Sequence, residues 1–283
     1  MELLELNGLT KRYPTFTLDR VSFSLQPGTI MGFIGRNGAG KTTTLKATMG
    51  LVHPDGGTVK MFGLDFAENE LVCKQQVGFV LGGVDYFLTK KLRDVADVTG
   101  RFYPDWDQGT FEGYCKRFDL DPDKRIKELS AGMKVKFSLA LALSHRARLL
   151  LLDEPTSGLD PVSRDELLDI FLDTVTDGER GILFSTHITS DLERCADYIT
   201  YLQDGKILAS TDRETFLETY RLVSGGTEQL TPELASRLIG CRTHAFGFEA
   251  MMDAREAANW PGLDIARATL EEIMVHLERR EQP

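Results

Sequence analysis

Apolar positions along the chain change their period several times, and each change predicts an element. Leu3–Leu6, Phe16–Leu18 and Val21–Leu25 alternate or cluster over a few residues, as short strands do. Pro27-Gly28 marks a turn before the apolar run Thr29–Ile34, a glycine-rich loop, and Thr42–Met49 with helical spacing. Further on, Asp55-Gly56-Gly57 turns the chain into a strand at Thr58–Phe62, and Val77–Val80 is another β-type run. Residues 87–147 read mostly as helix, broken near Tyr103-Pro104 and Asp121-Pro122. Leu149–Leu152 is apolar throughout, as in a parallel strand buried on both faces, and Asp153-Glu154-Pro155 closes it. A helix at Arg164–Val175, a strand at Gly181–Ser185 and a short helix at Ser190–Ala196 follow. Ile199–Leu202 and Lys206–Ala209 predict a hairpin around Asp204-Gly205.

Past about residue 211 the pattern shifts. It predicts helix at Glu214–Tyr220, Pro232–Ile239 and Leu270–Arg279, with strands at Arg221–Val223, Thr243–Phe248 and Leu263–Ala266. The Gly225-Gly226 pair offers a flexible entry to this region. The expected organisation is a first domain over 1–210, with a helical insert at about 86–147, and a small α+β appendage over 211–283.

Composition narrows the class. Lys and Arg number 33 against 43 Asp and Glu, a net charge of −10, which disfavours nucleic acid or anionic lipid as a bulk electrostatic partner. No stretch approaches the roughly 18–20 apolar residues of a membrane span, so a soluble, cytoplasmic chain is expected. Cys73, Cys115, Cys195 and Cys241 lie far apart, and His53, His145, His187, His244 and His276 show no metal-binding spacing. Reduced, mostly buried thiols are expected, and four structural histidines, with His187 the exception.

Chemistry concentrates in two places. Gly35-Arg36-Asn37-Gly38-Ala39-Gly40-Lys41-Thr42 fits the phosphate-binding pattern G-x-x-x-x-G-K-[ST], and Thr43 adjoins it. The glycines let successive N–H groups face phosphate oxygens, and the helix that follows points its positive end at the same place. Lys41 supplies a cation for the β- and γ-phosphates of a bound nucleotide, and Thr42 a hydroxyl for Mg²⁺. The second place is Asp153-Glu154, at the carboxyl end of a buried strand, where ligands of parallel sheets bind. There Asp153 would hold the Mg²⁺ shell and Glu154 polarise the attacking water.

With these motifs stand Leu129-Ser130-Ala131-Gly132-Met133, Thr156 after Pro155, Ser157-Gly158-Leu159-Asp160, and Ser185-Thr186-His187. In this order, over about residues 1–210, the chain resembles the nucleotide-binding subunit of ATP-binding cassette (ABC) transporters. The resemblance implies an α/β fold: a P-loop NTPase core with a parallel sheet, an antiparallel β subdomain and a helical insert. It further implies that Ser130, Ala131, Gly132 and Met133 close over ATP held by an opposing subunit, and that His187 meets the γ-phosphate and Glu154. Asp160 would reach across the dimer, and Tyr13 would stack on adenine.

The implied partners are a second copy or a paralogous cassette and a transmembrane permease, which would hold the chain at the inner face of the cell membrane. Some of Tyr86, Phe87, Phe102, Tyr103, Trp106 and Phe111 would dock on that permease, the alternative being a small helical core. Export is the expected direction, from the signature and the C-terminal extension. A mechanical ATPase of the same superfamily, acting on nucleic acid or the ribosome, is the alternative. The acidic charge, the single cassette and the lack of a long coiled-coil insert oppose it.

Three positions depart from the family pattern. Gly82 stands where a Gln usually ends the strand, with Asp85 the nearest substitute donor for the metal. Ala131 and Met133 replace the usual Gly and Gln of the signature. The flexible loop at Gly82 predicts slow basal hydrolysis.

Overall fold

The computed structural model describes residues 1–81 and 87–279. Readings at Gly82, Asp85 and Tyr86 lie outside the described residues. The chain forms two compact units, Met1–Ser210 and the remainder from Thr211.

Among the described residues, the strands up to the end of the first unit are β1 (Leu4–Tyr13), β2 (Phe16–Leu25), β3 (Ile30–Ile34), β4 (Gly56–Met61), β5 (Leu64–Asp65), β6 (Val77–Leu81), β7 (Leu149–Asp153), β8 (Gly181–Ser185), β9 (Tyr198–Gln203) and β10 (Lys206–Asp212), the last crossing into the second unit. They form an antiparallel sheet ordered β2-β1-β4-β5 and a second sheet ordered β10-β9-β3-β8-β7-β6. Within the second, β6, β7, β8, β3 and β9 run parallel.

Two N-terminal readings change. The separate strands read before Pro27 are two long ones. β1 continues through Gly8, whose positive φ of 62° accompanies shifts of register at Leu6/Leu9 and Leu9/Lys11. Such a bulge breaks the apolar alternation without ending the strand.

One hydrophobic cluster joins the two sheets. Leu4, Leu6, Leu18 and Leu25 meet Phe33, Leu149, Leu151 and Leu183, with Leu45 of α1 (Lys41–Thr48) among them. Leu183 faces this cluster, so the next residue, Phe184, faces the other side of the sheet. There it packs on Phe171, ring centroids 5.6 Å apart.

Helix α2 (Glu70–Lys74) leads to β6, and three helices fill the insert: α3 (Leu92–Gly100), α4 (Gln108–Arg117) and α5 (Ala131–Leu143). Phe111 is buried between Trp106 and Phe137, at 5.7 and 6.2 Å. It therefore belongs to a helical core, whereas Phe102 and Phe87 stay 70% and 60% exposed.

His145 lies just beyond α5, 3% exposed, its ring stacked on Tyr103 at 3.8 Å and its Nδ1 without a hydrogen-bond partner among the described residues. Burial pushes its imidazole down to about 4. The folded chain therefore keeps this ring neutral while the unfolded chain protonates it. Stability is unaffected above the unfolded pKa near 6.5, falls between there and about 4, and loses roughly 3 kcal/mol at the low end. Melting curves from pH 7 to 4.5 check this. The wild type should lose more stability than His145→Phe, which keeps the stack without the titration; equal losses would contradict it.

Helices α6 (Pro161–Val175) and α7 (Thr189–Cys195) complete the first unit. In the second, α8 (Arg213–Glu218) precedes β11 (Tyr220–Gly225), α9 (Pro232–Ala235), β12 (Ile239–His244), β13 (Gly247–Asp253), α10 (Ala254–Ala257), β14 (Asp264–Arg267) and α11 (Leu270–Arg279). The sheet order is β12-β13-β11-β14, over a core of Val223, Leu234, Phe248, Ala250 and Met252.

Here the apolar pattern misleads three times. The helix from Pro232 stops at Ala235, and Ile239 instead begins β12, paired with Met251. The expected strand Thr243–Phe248 is a hairpin whose turn falls between His244 and Gly247. Ala245-Phe246 carries no turn-forming residue, and the local signal is confined to Gly247, at φ 151°. Gly225-Gly226 is no entry: Gly225 pairs with Phe248 inside the sheet, and Gly226 N–H donates to Gln229 Oε1 at 2.7 Å. Of the cysteines, only Cys241 is exposed.

Candidate functional site

Parallel register builds the site. Ser185 of β8 lies opposite both Phe33 of β3 and Asp153 of β7. Three strands thus end level, and the segments that follow them, Gly35–Thr43, Glu154 and Thr186-His187, emerge at one carboxyl edge.

The loop after β3 requires glycine. Gly35 has φ 151°, and a Cβ there would lie 2.1 Å from the Leu202 carbonyl oxygen. Gly40 has φ 111° and precedes α1 as its N-cap without any side-chain cap hydrogen bond. Lys41, 6% exposed, folds back and donates to the carbonyls of Gly35 at 2.6 Å and Arg36 at 3.2 Å. Arg36, Asn37 and Gly38 form the exposed rim, Ala39 is buried, and Thr43 is half-buried.

Asp153 is tied at both oxygens. Thr42 Oγ donates to Oδ2 at 2.7 Å and Ser185 Oγ to Oδ1 at 2.6 Å. Ser185 Oγ also accepts from Glu154 N–H at 2.9 Å. Glu154 takes φ 50°, a left-handed conformation unusual outside glycine and a form of strain that clusters at functional sites. Its Oε2 lies 2.7 Å from His187 Nδ1 and its Oε1 3.8 Å from Lys41 Nζ.

Thr42 and Asp153 therefore offer adjacent hard oxygens. That set suits Mg²⁺, which takes one or two protein oxygens and completes its shell with phosphate and water. Among the described residues no group of three or more His, Cys, Asp or Glu could hold a metal by itself. Asp85, the other candidate ligand, is outside the described residues.

α5 starts at Ala131, with Ser130 as N-cap accepting from Met133 N–H at 3.2 Å, so Gly132 lies in the first turn. A Cβ on Gly132 would come within 3.2 Å of Leu159 Cδ2, which places this turn against the Gly158-Leu159 segment. Asp160 caps α6, its Oδ1 accepting from Val162 and Ser163 N–H at 3.1 and 3.0 Å. The hydrogen bonds from Ser163, then that from Val162, hold its carboxyl below the usual range.

Tyr13 is 40% exposed, 6.5 Å from Phe16, and Phe16 in turn touches the loop, since a Cβ on Gly40 would lie 2.8 Å from its Cζ. Sequence reasoning passed over Ser185 and Phe16 as site residues. Ser185 stands in a quoted motif, but its role depends on strand register. Phe16 is an ordinary apolar strand residue until the strand is placed beside the loop.

A family described as "ABC transporter" matches residues 18–157. The ABC transporter ATP-binding protein YtrB of Bacillus subtilis is 31% identical over 219 residues, 77% of this chain and 75% of that protein. The Nod factor export ATP-binding protein I of Paraburkholderia xenovorans is 32% identical, covering 73% of this chain and 69% of the relative. The bacitracin transport ATP-binding protein BcrA of Bacillus licheniformis is 29% identical, covering 73% and 68%. Among solved structures, the ATP-binding subunit of an ABC transporter superposes with a TM-score of 0.69 at 28% identity, over 75% of this chain and 91% of that one. A dimeric cassette in a post-hydrolysis state with ADP and phosphate shares the fold, with a TM-score of 0.65 at 20% identity over 74% and 98%.

Proposed function

The chain belongs to the ATP-binding subunits of ABC transporters, and we propose that Lys41, Glu154 and His187 carry out its ATP hydrolysis. As a member of that family it binds and hydrolyses ATP and powers a separate membrane subunit. The observation that carries the residue assignment is Glu154, held between the His187 ring and the Lys41 ammonium at 2.7 and 3.8 Å.

The roles follow from that arrangement. Loop N–H groups and the start of α1 bind the phosphates, and Lys41 neutralises the β- and γ-phosphate charge. Glu154 orients and polarises the attacking water, while His187 fixes the Glu154 carboxylate and faces the γ-phosphate. Thr42 and Asp153 hold Mg²⁺, which supplies charge neutralisation when bound. Tyr13 stacks on adenine. Ser130 and Gly132 serve ATP held by the opposing subunit, and Asp160 reaches that subunit's phosphate loop. Transport runs outward, in keeping with relatives named for bacitracin transport and Nod factor export. No helix among the described residues is long and apolar enough to cross a membrane. By its relatives, a permease holds the subunit at the inner face. The unit from Thr211 is an accessory, non-catalytic domain.

Mixing two inactive variants tests the shared site. Lys41→Ala destroys a chain's own cradle, and Ser130→Arg destroys what it offers its partner. Each homodimer is dead, but a mixed dimer holds one intact site, so an equimolar mixture should regain roughly a quarter of wild-type activity under two-fold pairing. A mixture as inactive as its components would refute the shared-site assignment.

A further inference from the structure

Two segments of chain meet at the Glu154–His187 contact. One runs from Glu154 through Thr156 to α6, and the other passes from His187 into α7. They meet a second time, beneath that contact. Asp191, in the first turn of α7, is fully buried, and neither carboxylate oxygen has a hydrogen-bond partner among the described residues. Arg164 of α6 points at it, Nε to Oδ1 3.9 Å, and the Thr156 hydroxyl also faces it. Among the described residues, Arg164 Nε and Thr156 Oγ are themselves buried without a hydrogen-bond partner. A carboxylate, a hydroxyl and a guanidinium thus confront one another just short of bonding.

Such a group is costly where it stands. A buried carboxylate without hydrogen bonds loses its hydration for nothing, and an apolar residue of similar volume would serve packing better. Burial accordingly pushes the Asp191 carboxyl up, with Arg164 and His187 opposing and Glu154 adding to the shift. The two helices are also linked in the opposite sense, since Arg194 of α7 pairs with Asp165 and, at 2.8 Å, with Asp169 of α6. That outer pairing is made, while the buried one stands open.

We propose that Asp191 is a positioning residue for hydrolysis: its closure onto Arg164 and Thr156 sets the placement of His187 against Glu154. The inference rests on the roles given above to those two residues. Thr156 is separated from Glu154 by Pro155 alone, and α7 from His187 by Ile188 alone, so neither segment has slack to absorb a shift. Closing 3.9 Å to hydrogen-bond length, about 2.9 Å, moves α6 against α7 by about 1 Å. A displacement of that size at reacting groups costs about 10²-fold in rate. Because Asp160 caps α6, an approach of the opposing subunit to Asp160 is passed through this cluster to His187.

The test uses the full chain. Asp191→Asn keeps the shape and removes the charge. It should lower kcat about tenfold with the ATP Kd within about twofold, and produce no further loss in a His187→Ala background, as expected for groups acting through one element. Arg164→Gln, on the more exposed side of the cluster, should give the same split and stands in should Asp191→Asn fail to fold. Equal proportional losses in both backgrounds, or kcat within twofold of wild type for both variants, would overturn the proposal and leave the roles of Glu154 and His187 intact. Full turnover in His187→Ala alone would overturn both.

Discussion

Lys41→Ala should abolish measurable ATP binding while the chain stays folded. The ammonium is folded into the loop, 6% exposed and held by two loop carbonyls. Its removal subtracts charge from a site shielded from water, where truncating one partner of a charged pair costs about 2–5 kcal/mol or more. It also strips Glu154 of the cation beside it, so the carboxylate then repels the γ-phosphate. Together these effects predict a Kd weaker by at least about 10³-fold. Titration calorimetry with Mg-ATP measures it, and thermal melting without nucleotide should show a cooperative transition, as expected of a chain that stays folded. Binding within threefold of wild type would remove Lys41 from its assigned role.

Glu154→Gln should separate binding from turnover. Glutamine fits the same space and can still bond His187 Nδ1, but it cannot take a proton from water. The expected loss in kcat is about 10²–10⁴-fold, the range for a positioned general base. ATP affinity should hold or rise, since a negative charge facing the phosphate is gone. Gel filtration with Mg-ATP should then show an accumulating dimer. Glutamine is the better choice than alanine because Glu154 sits at φ 50°, and altering the side chain's reach would change how that strain is held. Hydrolysis at the wild-type rate would show that another group activates the water.

The phosphate loop could be read from the chain because its demands are local. A glycine at φ 151° and another at φ 111°, then a lysine opening a helix, state backbone needs that few other residues meet. The buried strand β7 was legible for a similar reason. Four consecutive leucines have no water-facing position, so they imply a sheet covered on both sides, and the acids that end them mark its open edge.

The second unit was harder to read. Its helix Leu270–Arg279 matches its apolar stripe, and Leu270, Ile273, His276 and Leu277 are its buried face. The hairpin at Ala245-Phe246, by contrast, turns on residues with no preference for turning. It exists because β13 pairs with β11 and β12 at once, a contact between distant segments that no local pattern records.

By itself, then, the sequence determined where the glycine loop turns into a helix, where the core strand ends, and which acids follow it. Those features depend on backbone conformation and on burial along a single segment. Only the tertiary structure decided that Ser185 bridges Asp153 and Glu154, that His187 stands 2.7 Å from Glu154, and that Asp191 is buried opposite Arg164. Each of these joins residues 27 to 33 positions apart, and strand register and helix packing bring them together through the hydrophobic contacts of the whole unit.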